Sequence, residues 1–428
     1  MDPWKSLYRE KLTDKKTAIE KGILPGNHVV LGHCAGVPVE LTNEMVLQAH
    51  RLNNVTVFHM VPLHSCTYCD SSFEGIFRHS TTFTGGPTRQ AVNEGRADYI
   101  PCFFSELPKL FREKYLPVDT ALIMVSPPDN RGYMSFGLSV DYTLQAAASA
   151  GTVIAEVNPL MPRTQGSRIH ISEVDFLVET DYQPIEIPMP EITEVEKKIG
   201  ANVASLIPDR ANLQLGIGAI PDAVLQFLTE KKDLGIHSEM FSDGVVDLFE
   251  KGVVTNKYNN LNPGKLVATF LMGTKKLYDF VHNNPAVIMK PVDYTNNILV
   301  AGHLDNLISI NSALEVDLFG QVCADMIGSR QYSAVGGQVD FVRASSISKG
   351  GKSIIAFPST GKRGTISRIV SHLKEGACVT TSRYDADFIV TEYGVAALKG
   401  KSNIQRARAL IAIAHPEFRE ELTSGLKE

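Results

Sequence analysis

The residues best suited to chemistry begin at Gly235-Ile236-His237-Ser238-Glu239-Met240, which runs on through Phe241 into Ser242-Asp243-Gly244. One carboxylate, Glu239, stands between a short apolar approach and a Ser-Asp-Gly turn. Gly235 and Gly244 permit backbone angles that other residues resist, so both ends are expected to bend sharply. A carboxylate held at a bend exposes its tip while its backbone stays fixed, and carboxylates can serve as covalent nucleophiles. The competing reading is a solvated surface glutamate, the common state of that residue. Upstream, Gln214-Leu215-Gly216-Ile217-Gly218-Ala219-Ile220-Pro221 leads from an apolar approach into Ala223-Val224-Leu225. That spacing predicts a strand, a loop and a helix start, with Pro221 in the first turn. Such a loop turns backbone N–H groups outward and can hold a phosphate or an oxyanion. It is not a full dinucleotide fingerprint. Paired glycines recur in Val335-Gly336-Gly337-Gln338-Val339-Asp340-Phe341, where a ligand can approach the main chain closely.

Cysteine and histidine offer a second chemistry. His64-Ser65-Cys66-Thr67-Tyr68-Cys69 places a histidine beside a Cys-x-x-Cys, a pattern open to zinc or redox use. A structural zinc needs four converging ligands. No second such pair follows, and Cys34, Cys102, Cys323 and Cys378 are scattered singly. No metal is therefore expected, and two small side chains under a loop are the default. His237 shares the face of Glu239 if the segment is extended, and reads as a packing or orienting residue. His79 has no assigned role.

These residues need elements to hold them. With 428 residues and 43% apolar content the chain exceeds one ordinary core, and two domains are expected. A net charge of −5, with both signs interspersed, gives no reason to expect nucleic acid or membrane as a partner. The polar start, Met1-Asp2-Pro3-Trp4-Lys5, lacks the apolar core of a secretion signal, so a cytoplasmic protein is expected. Six cysteines over this length do not suggest a disulfide framework. Residues 5–22 read as one amphipathic helix. Strands are expected at 28–32, 55–61, 121–125 and 152–157, with a helix at 143–150. Residues 183–195 hold Pro184, Pro188 and Pro190 and read as a linker. The alternation then resumes: a helix at 201–207, strands at 213–215, 266–270 and 353–357, and mainly turn and helix at 394–398 and 405–414. Strands alternating with helices argue for mainly parallel sheets, with domains at 1–185 and 186–428.

The glycine loop, the Glu239 stretch and the Gly336-Gly337 segment resemble the acetyl-CoA hydrolase/transferase family, and within it the 4-hydroxybutyrate and butyrate CoA-transferases. The likeness also takes in Gly95-Arg96-Ala97-Asp98-Tyr99-Ile100-Pro101, Val125-Ser126-Pro127-Pro128-Asp129, Phe136-Gly137-Leu138-Ser139-Val140-Asp141, Ser359-Thr360 and Thr391-Glu392-Tyr393-Gly394-Val395-Ala396. It implies an α/β protein of two similar open, mainly parallel-sheet domains, the second carrying the nucleophile. It implies that CoA moves between a short acyl-CoA and acetate through a glutamyl-CoA thioester on Glu239. Gly216, Ile217, Gly218, Ala219, Ile220, Gly336 and Gly337 are then the oxyanion and CoA-binding set. Asn311, Leu314, Lys362 and Arg363 are further candidates for CoA contact, with Arg383 a guess from charge. No cofactor is expected, the partners being acyl-CoA and carboxylate substrates, and a homodimer is the expected assembly. A hydrolase of the same family, or a non-catalytic acyl-CoA-binding protein, stays open on the sequence.

Overall fold

The computed structural model describes residues 3–425. The chain divides into two compact units. One takes the chain up to Ile187 together with Ala268–Tyr294, and the other takes Pro188–Val267 and the chain from Thr295 onward. The first crossing falls two residues beyond the 185/186 division expected from sequence. The return of Ala268–Tyr294 to the first unit was not expected, because nothing local to that segment marks it.

The first unit is built on a seven-stranded sheet. In spatial order its strands are Phe176–Glu179, Thr152–Val157, Thr120–Val125, His28–Leu31, Val55–Phe58, Phe77–Thr81 and Ala97–Tyr99. All neighbours are parallel. Central parallel strands are covered on both faces and so read as unbroken apolar runs. Thr120–Val125 is such a strand, buried at every position. The expected helix at 5–22 is two helices, Pro3–Lys11 and Lys15–Gly22. Asp14 causes the break: its side chain accepts from the Thr17 backbone N–H and caps the second helix.

The second unit holds a six-stranded sheet in the order Gly235–Ile236, Asn212–Leu215, Leu307–Asn311, Lys352–Ala356, Phe388–Thr391, Gly394–Ala397. The first five are parallel. Counted along the chain, the order is 2-1-3-4-5, which reverses between Asn212–Leu215 and Leu307–Asn311. Ligands of open α/β sheets bind beyond the carboxyl ends of the strands at such a reversal. The last strand is antiparallel and corrects the turn expected at 394–398. Glu392-Tyr393 closes a tight connection, and the small side chains of Gly394–Ala397 hide the strand pattern. The linker ends where Thr193 and Glu196 cap the helix Glu194–Ala204 reciprocally. Among the described residues no helix is long and apolar enough to cross a membrane.

Candidate functional site at the carboxyl edge of the second sheet

The strand–loop–helix expected around Gly216 is present: Asn212–Leu215, then the loop, then the helix Ala219–Gln226. The loop leaves the sheet at its reversal. Gly218 has φ 108 and ψ −174, a conformation essentially restricted to glycine. Ile217 is half exposed, while Ala219 and Ile220 open the helix.

Glu239 lies three residues past the short strand Gly235–Ile236 and is half-buried. Ser238 ties this segment to the glycine loop. Its hydroxyl accepts from the Leu215 N–H (3.0 Å) and donates to the Leu215 carbonyl (3.1 Å). A bridge between Leu215 and Met240 extends the contact. Gly216 is thereby held beside Ser238-Glu239-Met240. Further on, the Ser242 hydroxyl donates to Asp222 Oδ1 at 2.6 Å, joining the other end of the segment to the helix Ala219–Gln226. Burial raises the Asp222 pKa, against the Ser242 bond.

Gly235 and Gly244 are not there for unusual backbone angles, contrary to the sequence expectation. Neither has positive φ. Both permit close approach instead: a Cβ on Gly235 would stand 2.3 Å from Asn212 Oδ1, and one on Gly244 2.8 Å from Leu225 Cδ1.

The Glu239 carboxylate is gripped by residues the sequence did not single out. Asn296 Nδ2 donates to Glu239 Oε2 at 2.8 Å. The Thr295 hydroxyl donates to Asn296 Oδ1 at 3.0 Å and so fixes which way the amide faces. His237 Nε2 donates to the Thr295 carbonyl at 2.9 Å. A relay thus runs from His237 through Thr295 and Asn296 back to Glu239, two residues along from where it began. No motif announces Asn296, which is 57 residues from Glu239 in sequence. On the other side, a Cβ on Gly337 would lie 2.0 Å from Glu239 Oε2 and 2.3 Å from Asn296 Nδ2. Gly337 is the N-cap of the helix Gln338–Ile347, so the carboxylate sits at a helix N-terminus, where negative charge is favoured.

The orienting role expected of His237 fits this geometry. The ring is fully buried, and burial pushes its pKa down to about 4, against the smaller opposing effect of the Thr295 carbonyl. A folded-state value below the unfolded value of about 6.5 means that the unfolded chain binds a proton the native ring refuses. Stability from this group is complete above pH 6.5 and declines as pH falls towards 4. By pH 5 the loss is about 2 kcal/mol. The urea midpoint should therefore fall between pH 7 and pH 5, and fall less in His237→Gln. Equal falls in the two proteins would show that His237 is not held neutral.

Of the other candidates, Asn311 ends the strand Leu307–Asn311 at the sheet reversal. Its amide donates to Gln214 Oε1 (3.0 Å) and Ser309 Oγ (2.8 Å). Leu314 is pinned by its N–H to the Cys323 carbonyl. Lys362 and Arg363 form the exposed tip of the hairpin Thr360–Gly361 and Ile366–Ser367. Arg383 donates to the hydroxyl of exposed Tyr384. Two of the sequence segments meet: Ser359 donates from its N–H and hydroxyl to the Glu392 carboxylate, at 2.9 and 2.6 Å.

Fold and site together define an α/β protein with a fixed carboxylate beside a glycine loop, at the reversal of an open parallel sheet. The chain belongs to the acetyl-CoA hydrolase/transferase family: residues 2–188 match its N-terminal domain and residues 273–426 its C-terminal domain. It is 56% identical over 426 residues to the 4-hydroxybutyrate coenzyme A transferase of Clostridium kluyveri, covering 99% of each chain. It is 45% identical to the succinyl-CoA:cyclohexane-1-carboxylate CoA transferase of Geobacter metallireducens, over 98% of this chain and 96% of that one. The solved 4-hydroxybutyrate CoA-transferase of Porphyromonas gingivalis superposes with a TM-score of 0.87 at 43% identity, covering 98% of both chains. The chain is an enzyme of CoA transfer.

Proposed function

We propose that this enzyme moves CoA between a short-chain acyl-CoA, 4-hydroxybutyryl-CoA or butyryl-CoA, and acetate, with Glu239 as covalent carrier. The observation that carries the reading is the grip on Glu239 by Asn296 and Gly337 at a helix N-terminus. The ionised carboxylate attacks the thioester carbonyl, giving an acyl-glutamyl anhydride and CoA thiolate. The thiolate attacks the glutamyl carbonyl, which leaves a glutamyl-CoA thioester and the free acid. Acetate then enters and the steps run in reverse, delivering acetyl-CoA and the original carboxylate. One thioester is exchanged for another, so neither ATP nor a metal is required. Each tetrahedral intermediate carries an oxyanion. Backbone N–H groups of the loop Gly216–Gly218 and of Gly336-Gly337 are the assigned donors, each worth roughly 3–4 kcal/mol.

Initial rates with 4-hydroxybutyryl-CoA and acetate should give parallel double-reciprocal lines, because the first acid leaves before the second enters. Intersecting lines would refute the covalent carrier. One methylene in an apolar pocket discriminates by only about 1–3 kcal/mol, so neighbouring C2 to C6 acyl groups should also turn over. A strict preference for succinyl-CoA would reject this substrate class. Faster thioester loss to water than to acetate would make the enzyme a hydrolase. A cytoplasmic homodimer is part of the same proposal, the location resting on the polar N-terminal sequence and the dimer on the family resemblance. Sedimentation of a lone 46.9 kDa species would reject the dimer.

A further inference from the structure

The first unit contains a side-chain cluster that CoA transfer does not use. His59 follows directly on the strand Val55–Phe58, and the turn Thr67–Cys69 folds back over it. One ligand atom each from His59, His64 and Cys66 lies within 4.8 Å of the other two. His59 is fully buried, and its Nε2 has no hydrogen-bond partner. Both ring nitrogens of His64 are likewise buried without a partner. Leaving a polar atom buried and unsatisfied costs about 1–3 kcal/mol. These unsatisfied nitrogens, one of each ring standing in the cluster, ask for an occupant.

The proton arrangement says what kind. The Tyr68 hydroxyl donates to Cys66 Sγ at 3.3 Å and lies 3.0 Å from His59 Nδ1. A tyrosine has one hydroxyl proton. With that proton on the sulfur, the oxygen accepts from His59 Nδ1–H, which leaves a lone pair on Nε2. The opposite tautomer would bury an Nε2–H with no acceptor in hydrogen-bond geometry, although the Gly32 carbonyl also faces the ring. Two imidazoles and a thiol are the donor set of a borderline-soft divalent cation. A hydrogen bond on the far nitrogen of a ligating histidine is the usual device for fixing its orientation.

We propose that His59 Nε2, His64 and Cys66 Sγ bind a divalent cation of the zinc type, with a water as fourth ligand. Zinc bonds of about 2.0–2.3 Å place tetrahedral ligands about 3.5 Å apart, so the cluster closes by no more than about 1.3 Å. Half-buried His64 supplies that movement. The sequence argued against a metal because Cys66 and Cys69 alone cannot make a site. His59 is the ligand that reading lacked.

The test uses full-length, fully reduced, chelator-treated protein titrated with Co²⁺. One equivalent should produce the visible bands of four-coordinate cobalt and a near-ultraviolet thiolate-to-cobalt band. Zn²⁺ should displace the cobalt and raise the melting temperature by mass action. Cys66→Ser should lose the thiolate band, and His64→Ala, at a less buried position, should lose tight binding while staying folded. Cys69→Ser should retain both. A wild-type protein with no thiolate–cobalt band would overturn the proposal, the orphan nitrogens then being met by water. So would an unchanged band in Cys66→Ser, which would move the ion to the second unit, where Cys323, Asp325 and Cys378 also converge.

Discussion

Replacing Glu239 by glutamine is expected to abolish CoA transfer and leave the fold intact. The amide keeps the size of the side chain and an oxygen to accept from Asn296, so the grip on this position survives. What disappears is the nucleophile proposed above. Glu239→Ala should be equally inactive but less stable, because the fully buried Asn296 amide loses an acceptor, at a cost of about 1–3 kcal/mol. Glu239→Asp should fold and run about 100-fold slower, since one methylene less withdraws the attacking oxygen by about an ångström. In the native enzyme, incubation with acyl-CoA and no acceptor should leave a CoA adduct on the Glu239 peptide by mass spectrometry. A fully active Glu239→Ala preparation, or an adduct on another peptide, would end the mechanism proposed above.

How much of this site could be read beforehand follows from what is local in the chain. The loop at Gly216 was legible because strand, glycines and helix start occupy consecutive residues, and each leaves its own signature. Glu239 stood out for the same reason. Asn296 did not, because it reaches Glu239 only after the chain has left the second unit at Ala268 and come back at Thr295. The strands Phe77–Thr81, Leu307–Asn311 and Phe388–Thr391 went unpredicted: each is short, and Leu307–Asn311 carries Ser309 and Asn311 to hydrogen-bond Gln214 rather than an apolar run. The Asp14 cap was a missed signal rather than an absent one, since an aspartate three residues before a threonine at a helix start is a local pattern. His59 was overlooked because it belongs to one strand end and its neighbours to the next loop.

The close approach of Gly337 to the Glu239 carboxylate gives the second large effect. Gly337 has φ −94 and ψ 4, a conformation any residue adopts, so a side chain there does not strain the backbone. It would strain the site. An added Cβ meets Glu239 Oε2 at 2.0 Å and Asn296 Nδ2 at 2.3 Å, well inside contact distance, and both are ends of movable side chains. The chain can therefore fold by pushing the carboxylate and the amide aside by more than an ångström. A displacement of that size at the attacking atom costs about 100-fold. Gly337→Ala should accordingly melt within a few degrees of the native enzyme and turn over about 100-fold more slowly, with Gly337→Val slower still. Both half-reactions should suffer, release of the first acid and capture of CoA by acetate, because in the proposed mechanism the same carboxylate and the same backbone N–H serve each. If Gly337 serves only a tight turn, the substitution would instead lower the melting temperature and leave turnover normal in the cold. That outcome would remove Gly337 from the catalytic geometry, and with it the reason for a glycine where the helix Gln338–Ile347 begins.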